Sequence, residues 1–185
     1  MQKPLLATEF LDRARKYFGD QEAILTVEGD RLTYDELGDR VDRLSAALQD
    51  HGIETGDRVA VLDPNTHYHL ETAYAAIQIG AVHTPLNYRL KPGENEYILN
   101  DAGIDAIVCD WDFTDNIDPV RDDVGTETFI CTDPERADSD RAWADYEAVI
   151  DDYDPGDHDR PEMAEDEIIT INYTSGTTGD PKGVM

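Results

Sequence analysis

Lysine is scarce in this chain. Only four of its 185 residues are lysine, and the 15 lysines and arginines together face 42 aspartates and glutamates, for a formal net charge of −27. Contacts to nucleic-acid phosphates need clustered lysine and arginine, so this composition argues against nucleic-acid binding through a basic face. Such a surface repels itself at low salt but is screened at about 1 M salt, where the Debye length falls to roughly 3 Å.

Two interpretations of this charge stay open. The acid-rich, lysine-poor composition is similar to that of proteins from salt-loving cytoplasms. A disordered acidic interaction chain would also carry such a charge. Regular apolar periodicity over most of the sequence argues against disorder, because it predicts helices and strands with buried faces. We therefore expect a folded, halophilic protein.

Cysteines and long apolar runs are also scarce. Cys109 and Cys131 each end a short apolar run, which is typical of buried, inert thiols rather than of a disulfide or a catalytic pair. No stretch approaches the roughly 18 to 20 apolar residues of a membrane span, and the first residues lack a signal-peptide pattern. We expect a cytoplasmic protein without a membrane span, and 185 residues suit one domain.

Predicted strands and helices alternate along the chain. A hairpin turns at Gly29, and a capping box at Thr33 and Glu36 starts a helix that ends at Gly52. Further strands are predicted at 57–62, 81–84, 105–109, 127–131 and 167–173, with helices at 67–79, 93–102 and 141–150. This order indicates an α/β fold with a mostly parallel sheet and crossover helices. Ligands of such sheets sit beyond the carboxyl ends of the strands.

Two acidic or histidine-rich patterns do not predict metal sites. Within 151–162, a calcium loop starting at Asp152 would have Gly156 and Asp157 at its fifth and sixth positions, where an EF-hand has Asp or Asn and then glycine. We expect residues 150–163 to form an exposed acidic connection. His67 and His69 are two apart, so on a helix they point in different directions and predict no zinc site.

The last residues have the composition of a phosphate-binding loop. Residues 173–185 read YTSGTTGDPKGVM and follow an apolar run. Glycines let backbone N–H groups approach a phosphate, hydroxyls donate further hydrogen bonds, and Lys182 supplies positive charge. A Walker A loop is excluded, because its lysine directly follows the second glycine, whereas Lys182 comes three residues after Gly179. A flexible linker of similar composition would not be expected to follow a β-branched strand.

This loop closely resembles the phosphate loop of the AMP-forming adenylating enzymes, which include acyl-CoA synthetases, firefly luciferases and adenylation domains of nonribosomal peptide synthesis. The family motif is rich in hydroxyls and ends in Pro-Lys-Gly, as residues 181–183 do. Residues 22–62 resemble the start of the same family, and residues 80–103 resemble its fatty-acyl-CoA synthetase branch. The likeness is weak between 112 and 162. Within the 80–103 stretch we expect Tyr88 to pack and Arg89 to be solvated rather than to face a substrate groove.

The resemblance implies a reaction in two steps, in which a carboxylic acid and ATP give an acyl-adenylate and pyrophosphate, and coenzyme A then displaces AMP. It implies that Lys182 and six loop residues hold the β- and γ-phosphates, and that the first of the six also contacts Mg²⁺. These six are Thr174, Ser175, Gly176, Thr177, Thr178 and Gly179. The small-molecule partners are then a carboxylic acid, ATP and coenzyme A.

The catalytic residues of this family are expected beyond Met185, so none is assigned within residues 1–185. We therefore interpret these residues as an incomplete N-terminal adenylation domain, inactive by itself, with 150–163 as its acidic connection and a final loop, 173–185, that is disordered in isolation. One alternative is a non-catalytic interaction or regulatory module with the same fold that needs a partner chain. Another is an unrelated phosphate-binding protein. The sequence does not specify an oligomeric state.

Overall fold

The computed structural model describes residues 5–27, 29–174 and 181–185. The chain starts with α1 (Thr8–Phe18), β1 (Glu22–Leu25), β2 (Arg31–Thr33) and α2 (Tyr34–Asp50). It continues with β3 (Arg58–Leu62), α3 (His67–Gln78), β4 (Val82–Leu86), α4 (Pro92–Ala102) and β5 (Ala106–Cys109). Two 3₁₀-helices (Trp111–Asn116 and Asp118–Asp123), β6 (Thr128–Cys131), β7 (Ala144–Asp145), α5 (Tyr146–Asp151), β8 (Asn172–Thr174) and β9 (Lys182–Val184) follow.

Five parallel strands form the central sheet, in the order β4-β3-β5-β6-β7. The predicted α/β fold with a mostly parallel sheet and crossover helices is confirmed. The strand order reverses at β3, because the next strand, β4, lies on one side of it and β5 lies on the other. Such a reversal opens a crevice between loops at the carboxyl ends of the strands.

The sheet is buried on both faces, which explains the unbroken apolar runs of its strands. In β3, Val59 and Val61 pack toward α2, α3 and α5, whereas Ala60 and Leu62 pack on the other face. The thiols of Cys109 and Cys131 are free and buried. Burial raises the pKa of both, to about 11 for Cys131, so these side chains are unreactive core residues as predicted. In the described part of the chain, no helix has the length and apolarity needed to cross a bilayer.

The start of α2 confirms the predicted capping box. The backbone N–H of Thr33 donates to the Glu36 carboxylate at 2.7 Å, and the backbone N–H of Glu36 donates to the Thr33 hydroxyl at 3.2 Å. The predicted apolar stripe of α2 is buried in the core: Leu37, Val41, Leu44 and Leu48. Local sequence and burial therefore agree on this helix.

Two predicted elements were wrong in their bounds. The helix predicted at 141–150 starts only at Tyr146, because residues 144–145 pair with β6 as β7 and the Asp145 carboxylate caps the helix at the N–H of Ala148 (3.0 Å). The strand predicted at 167–173 is reduced to a bridge at Thr170 and to β8.

The polar stretch after β5 also has structure that the sequence did not predict. The Asp110 carboxylate accepts from the N–H of Asp112 at 3.0 Å and starts the first of the two 3₁₀-helices. Within this segment, Ile117 and Val120 are buried. Its acidic side chains are nevertheless mostly exposed.

A buried ionic network joins three helices on one face of the sheet. The Arg40 side chain of α2 donates to Glu71 of α3 at 2.8 Å and forms a bidentate pair with Glu147 of α5 at 2.7 and 2.8 Å. The hydroxyl of Tyr146 donates to the other oxygen of Glu71 at 2.7 Å. Glu71 is fully buried, so its carboxylate depends on these two donors. Burial opposes the ionisation of Glu147, but its hydrogen bonds to Arg40 prevail and lower its pKa.

The segment that leads into the terminal β8–β9 hairpin forms backbone hydrogen bonds with His83 of β4. The backbone N–H of His83 donates to Ile169 and its carbonyl accepts from the N–H of Ile171, both at 3.0 Å. The imidazole is 8% exposed, its Nε2 has no hydrogen-bond partner among the described residues, and its ring lies 5.3 Å from that of His69. Burial, and secondarily His69, lower the pKa of His83 to about 4.

Replacing Arg40 with methionine should lower the free energy of unfolding by about 3 to 5 kcal/mol, because it leaves the buried Glu71 carboxylate without its cation. The matched control is Arg141→Met, which breaks the exposed pair with Asp122 and should have little effect. Urea unfolding at constant KCl gives both values. If Arg40→Met lowers the free energy of unfolding as little as Arg141→Met, the buried network does not stabilise the fold.

Acid should destabilise the fold through His83. The unfolded chain takes up this proton near pH 6.5, whereas the folded chain takes it up only near pH 4, so protonation favours unfolding in between. Stability that is fully present above pH 6.5 should fall by up to about 3 kcal/mol by pH 4. His83→Leu should remove this part of the pH dependence and His51→Leu, at an exposed histidine, should not. Parallel pH profiles for wild type and His83→Leu would contradict the assignment.

Candidate functional site

The two ends of the predicted phosphate loop lie side by side. The strands β8 and β9 are antiparallel, with Thr174 opposite Lys182 and Tyr173 opposite Gly183. Thr174 and Lys182 are both exposed. Residues 182–184 form a strand, and the disorder expected of residues 173–185 in isolation stays a prediction.

The other predicted site residues lie outside the described residues. They are Ser175, Gly176, Thr177, Thr178 and Gly179. Their phosphate-binding role stays a prediction, as does the expected disorder of that part of the loop. Of the predicted site residues, the structure describes Thr174 and Lys182 and places them opposite each other.

The catalytic residues are predicted to lie beyond Met185, and the structure does not extend to them. Met185 itself directly follows β9, and its side chain is 79% exposed. An exposed thioether offers neither an acid nor a base for catalysis, so no catalytic role is assigned to this residue. The position of the catalytic residues therefore stays a prediction.

The hairpin continues from the edge of the sheet. Residues 169–171 run parallel to β4 through the two backbone hydrogen bonds of His83. The chain therefore leaves this edge in the direction in which β4 reaches its carboxyl end, where ligands of parallel sheets bind. This placement agrees with a binding role for the residues that follow Tyr173.

Tyr173 connects the hairpin to the body of the domain. Its hydroxyl donates to the Asp101 carboxylate of α4 at 2.6 Å, and its ring packs against the apolar cluster on the α4 face of the sheet. Burial, together with Asp101, raises the pKa of the Tyr173 phenol, so the donor stays protonated. No sequence pattern indicates this pair, because the two residues lie 72 positions apart.

Gly183 has a steric reason to be glycine. A Cβ at this position would come within 3.0 Å of the Ile171 side chain and 3.3 Å of the Tyr173 ring. A side chain at this position would require the Ile171 or Tyr173 side chain to shift by a few tenths of an ångström. The glycine of the Pro-Lys-Gly sequence therefore lets β9 pair with β8 without this shift.

Lys182 carries an exposed cationic side chain. Among the described residues, no acidic side chain forms an ion pair with its ammonium group. Most arginines that the structure describes are instead engaged with carboxylates or aromatic rings. Such a cation in a chain with a net charge of −27 is a suitable counter-charge for phosphate.

A cleft lies at the carboxyl ends of β3, β5 and β6, and its lining also includes His83 of β4. It has a volume of about 1100 Å³, and neither Thr174 nor Lys182 lines it. Its wall includes Trp111 with the Arg136 guanidinium 3.9 Å from the ring centre, and Asp133 lies 3.8 Å from that guanidinium. The aspartates that follow the strands cap local turns here, as Asp110 does for its 3₁₀-helix.

The histidines considered for zinc binding form ring contacts. His67 stacks on Tyr68 at 3.9 Å, and His69 meets His83 edge-on at 5.3 Å. Within residues 5–27, 29–174 and 181–185, no three histidine, cysteine or acidic side chains are grouped to hold a metal ion. Tyr88 packs against Phe113, with the exposed Arg89 above its ring, as predicted.

Comparison with known proteins agrees with this geometry. The family described as AMP-binding enzyme matches residues 10–185, including the stretch of weak likeness between 112 and 162. The chain is 33% identical to a 4-hydroxybutyrate–CoA ligase of Metallosphaera sedula over 98% of its own length and 33% of that protein. It is 34% identical to a long-chain-fatty-acid–CoA ligase of Thermus thermophilus over its whole length and 34% of that protein.

The fold is also similar to that of a solved CoA ligase structure. The crystal structure of a long-chain-fatty-acid–CoA ligase from Archaeoglobus fulgidus superposes with a TM-score of 0.85 at 26% identity, covering all of this chain and 37% of that one. The chain thus spans about a third of the length of the relatives it matches. The resemblance of its sequence to the AMP-forming acyl-CoA synthetases is confirmed, and the chain belongs to the AMP-binding enzyme family.

Proposed function

We propose that this chain is the phosphate-binding part of an enzyme that activates a carboxylic acid with ATP and transfers it to coenzyme A. The observation that carries the proposal is the β8–β9 hairpin, which holds Thr174 beside the exposed Lys182 in a chain of the AMP-binding enzyme family. The curated relatives named above are CoA ligases, which supports the second step.

In the first step, a carboxylate oxygen attacks the α-phosphorus of ATP, and the bond to the β-phosphate breaks. Pyrophosphate leaves with an increased negative charge, and AMP stays joined to the acid as a mixed anhydride. Lys182 and the N–H and hydroxyl donors of residues 174–179 stabilise this charge. In the second step, the coenzyme A thiol attacks the acyl carbon and AMP leaves.

The first residue of the loop, Thr174, can contribute one oxygen ligand to a magnesium ion. The Thr174 hydroxyl is exposed next to the loop. Mg²⁺ usually binds through few protein oxygens and completes its shell with substrate phosphates and water, so a single hydroxyl is compatible with a metal that arrives with ATP. The ion would neutralise charge on the β- and γ-phosphates.

We propose a fatty acid as the substrate, on the likeness of residues 80–103 to fatty-acyl-CoA synthetases. Relatives of similar identity act, by name, on 4-hydroxybutyrate and on long-chain fatty acids, so a test has to cover both short and long acids. Tyr88 does not bear on this choice, because it packs on Phe113 within the domain.

Two further parts of the proposal concern the state of the protein. Residues 1–185 alone are proposed to be inactive, because relatives are about three times as long. The net charge of −27 supports a halophilic protein, since salt screens repulsion among exposed carboxylates, and we propose a cytoplasmic location with it.

The experiment measures pyrophosphate release from ATP at molar KCl with acids from butyrate to palmitate. It compares this chain with the chain extended through its downstream reading frame. Acid-dependent release by the extended chain alone is the expected result. Pyrophosphate release by residues 1–185 alone would refute the proposed inactivity. If the extended chain releases no pyrophosphate with any acid, the ligase activity is refuted in favour of a non-catalytic module.

In the extended chain, Lys182→Met should lower kcat/KM for ATP about tenfold to a hundredfold, because it removes a positive charge from the leaving pyrophosphate. Lys16→Met is the matched control, since Lys16 is an exposed lysine on α1, and it should leave kcat/KM unchanged. Equal kinetics for both variants would remove Lys182 from the site.

A further inference from the structure

We propose that Tyr173 and Asp101 form a positioning pair that sets the place of Thr174 and Lys182, an inference that rests on the proposed function. Neither residue has a role in the phosphate contacts proposed above. The pair acts through the hairpin, and each step of the argument uses a contact of the described residues.

Few contacts hold the hairpin. In the part of the chain that the structure describes, β9 pairs with β8 alone, and all three of its residues are exposed. The backbone hydrogen bonds between residues 169–171 and His83 end at Ile171. Beyond that point, Tyr173 is the half-buried residue of β8, between the exposed Asn172 and Thr174. Its side chain is therefore the last contact with the domain before the loop begins.

The hydrogen bond of Tyr173 is a strong one by its geometry and charge. The oxygen–oxygen distance to Asp101 is 2.6 Å, which is typical of a hydroxyl that donates to a carboxylate. Asp101 lies in the last turn of α4, where the helix dipole disfavours a negative charge. The phenol donor offsets this, so the pair stabilises the end of α4 and the hairpin together.

The position of the Tyr173 ring is transmitted to both site residues. Thr174 follows it directly in β8. Gly183 lies opposite in β9, so close that a Cβ there would be 3.3 Å from the ring and 3.4 Å from its hydroxyl. Lys182 precedes Gly183. A rotation of the ring therefore displaces Thr174 and Lys182 together relative to the sheet.

The chain offers a matched control with the same chemistry. The hydroxyl of Tyr153 donates to the Asp50 carboxylate at 2.8 Å, in the acidic segment and away from the hairpin. Tyr153→Phe and Tyr173→Phe each remove one tyrosine–aspartate hydrogen bond and keep the ring. A merely structural role predicts similar effects of the two changes, whereas positioning predicts that one alone alters the use of ATP.

The first measurement is the kinetics of the extended chain at molar KCl. Tyr173→Phe should raise KM for ATP about threefold to tenfold with kcat changed less than about twofold, the loss expected for one typical intramolecular hydrogen bond. Tyr153→Phe should leave both constants unchanged. Asp101→Ala should also raise KM for ATP. Asp101→Asn keeps an acceptor, so its KM should lie close to that of wild type. Equal KM values in the two phenylalanine variants would overturn the proposal.

A second measurement separates this inference from the proposed function. Amide hydrogen exchange in residues 182–184 of this chain should be faster in Tyr173→Phe than in wild type and in Tyr153→Phe. If the extended chain releases no pyrophosphate but this difference is found, the ligase proposal fails and the positioning of Lys182 stands. Unchanged exchange in Tyr173→Phe would overturn the positioning pair whatever the kinetics show.

Discussion

The fold depends on the guanidinium group of Arg40. A fully buried carboxylate such as Glu71 is stable only where donors satisfy it, and Arg40 does this while also binding Glu147, 107 residues further along the chain. The network thereby fixes α5. From α5 the chain returns across α2, where Gln49 exchanges two hydrogen bonds with the backbone of Asp159, and reaches the edge of the sheet beside His83. The place of the terminal hairpin thus follows from contacts made far from it.

Net charge and site charge act on different length scales. At molar salt the Debye length of roughly 3 Å confines electrostatic effects to groups in contact. On the proposed function, the −27 net charge then hardly opposes the approach of ATP, and the groups touching the phosphates decide binding. For an acidic protein this makes the exposed ammonium of Lys182 more important than the surface around it.

The sequence predicted what local pattern determines. The capping box of Thr33 and the apolar runs of the parallel strands depend on nearby residues, so their elements were confirmed. The two-residue strand β7 exists because it pairs with β6, and no local pattern shows such a pairing. The contact of Tyr173 with Asp101 crosses 72 residues and was missed for the same reason. At the site, composition pointed to Lys182 and the family resemblance implied Thr174, but neither showed what holds these residues.

The described part of the loop differs physically from a phosphate site at a helix N-terminus. There, free N–H groups and the helix dipole supply fixed positive charge. Here the last described residues form a strand opposite β8, and a strand has no comparable dipole. In the described part of the loop, positive charge therefore comes from the Lys182 side chain, and the N–H donors proposed for residues 174–179 add to it. A lysine on a long, flexible stem acts only if its backbone is fixed, so the few contacts that hold β9 limit how well such a site is organised.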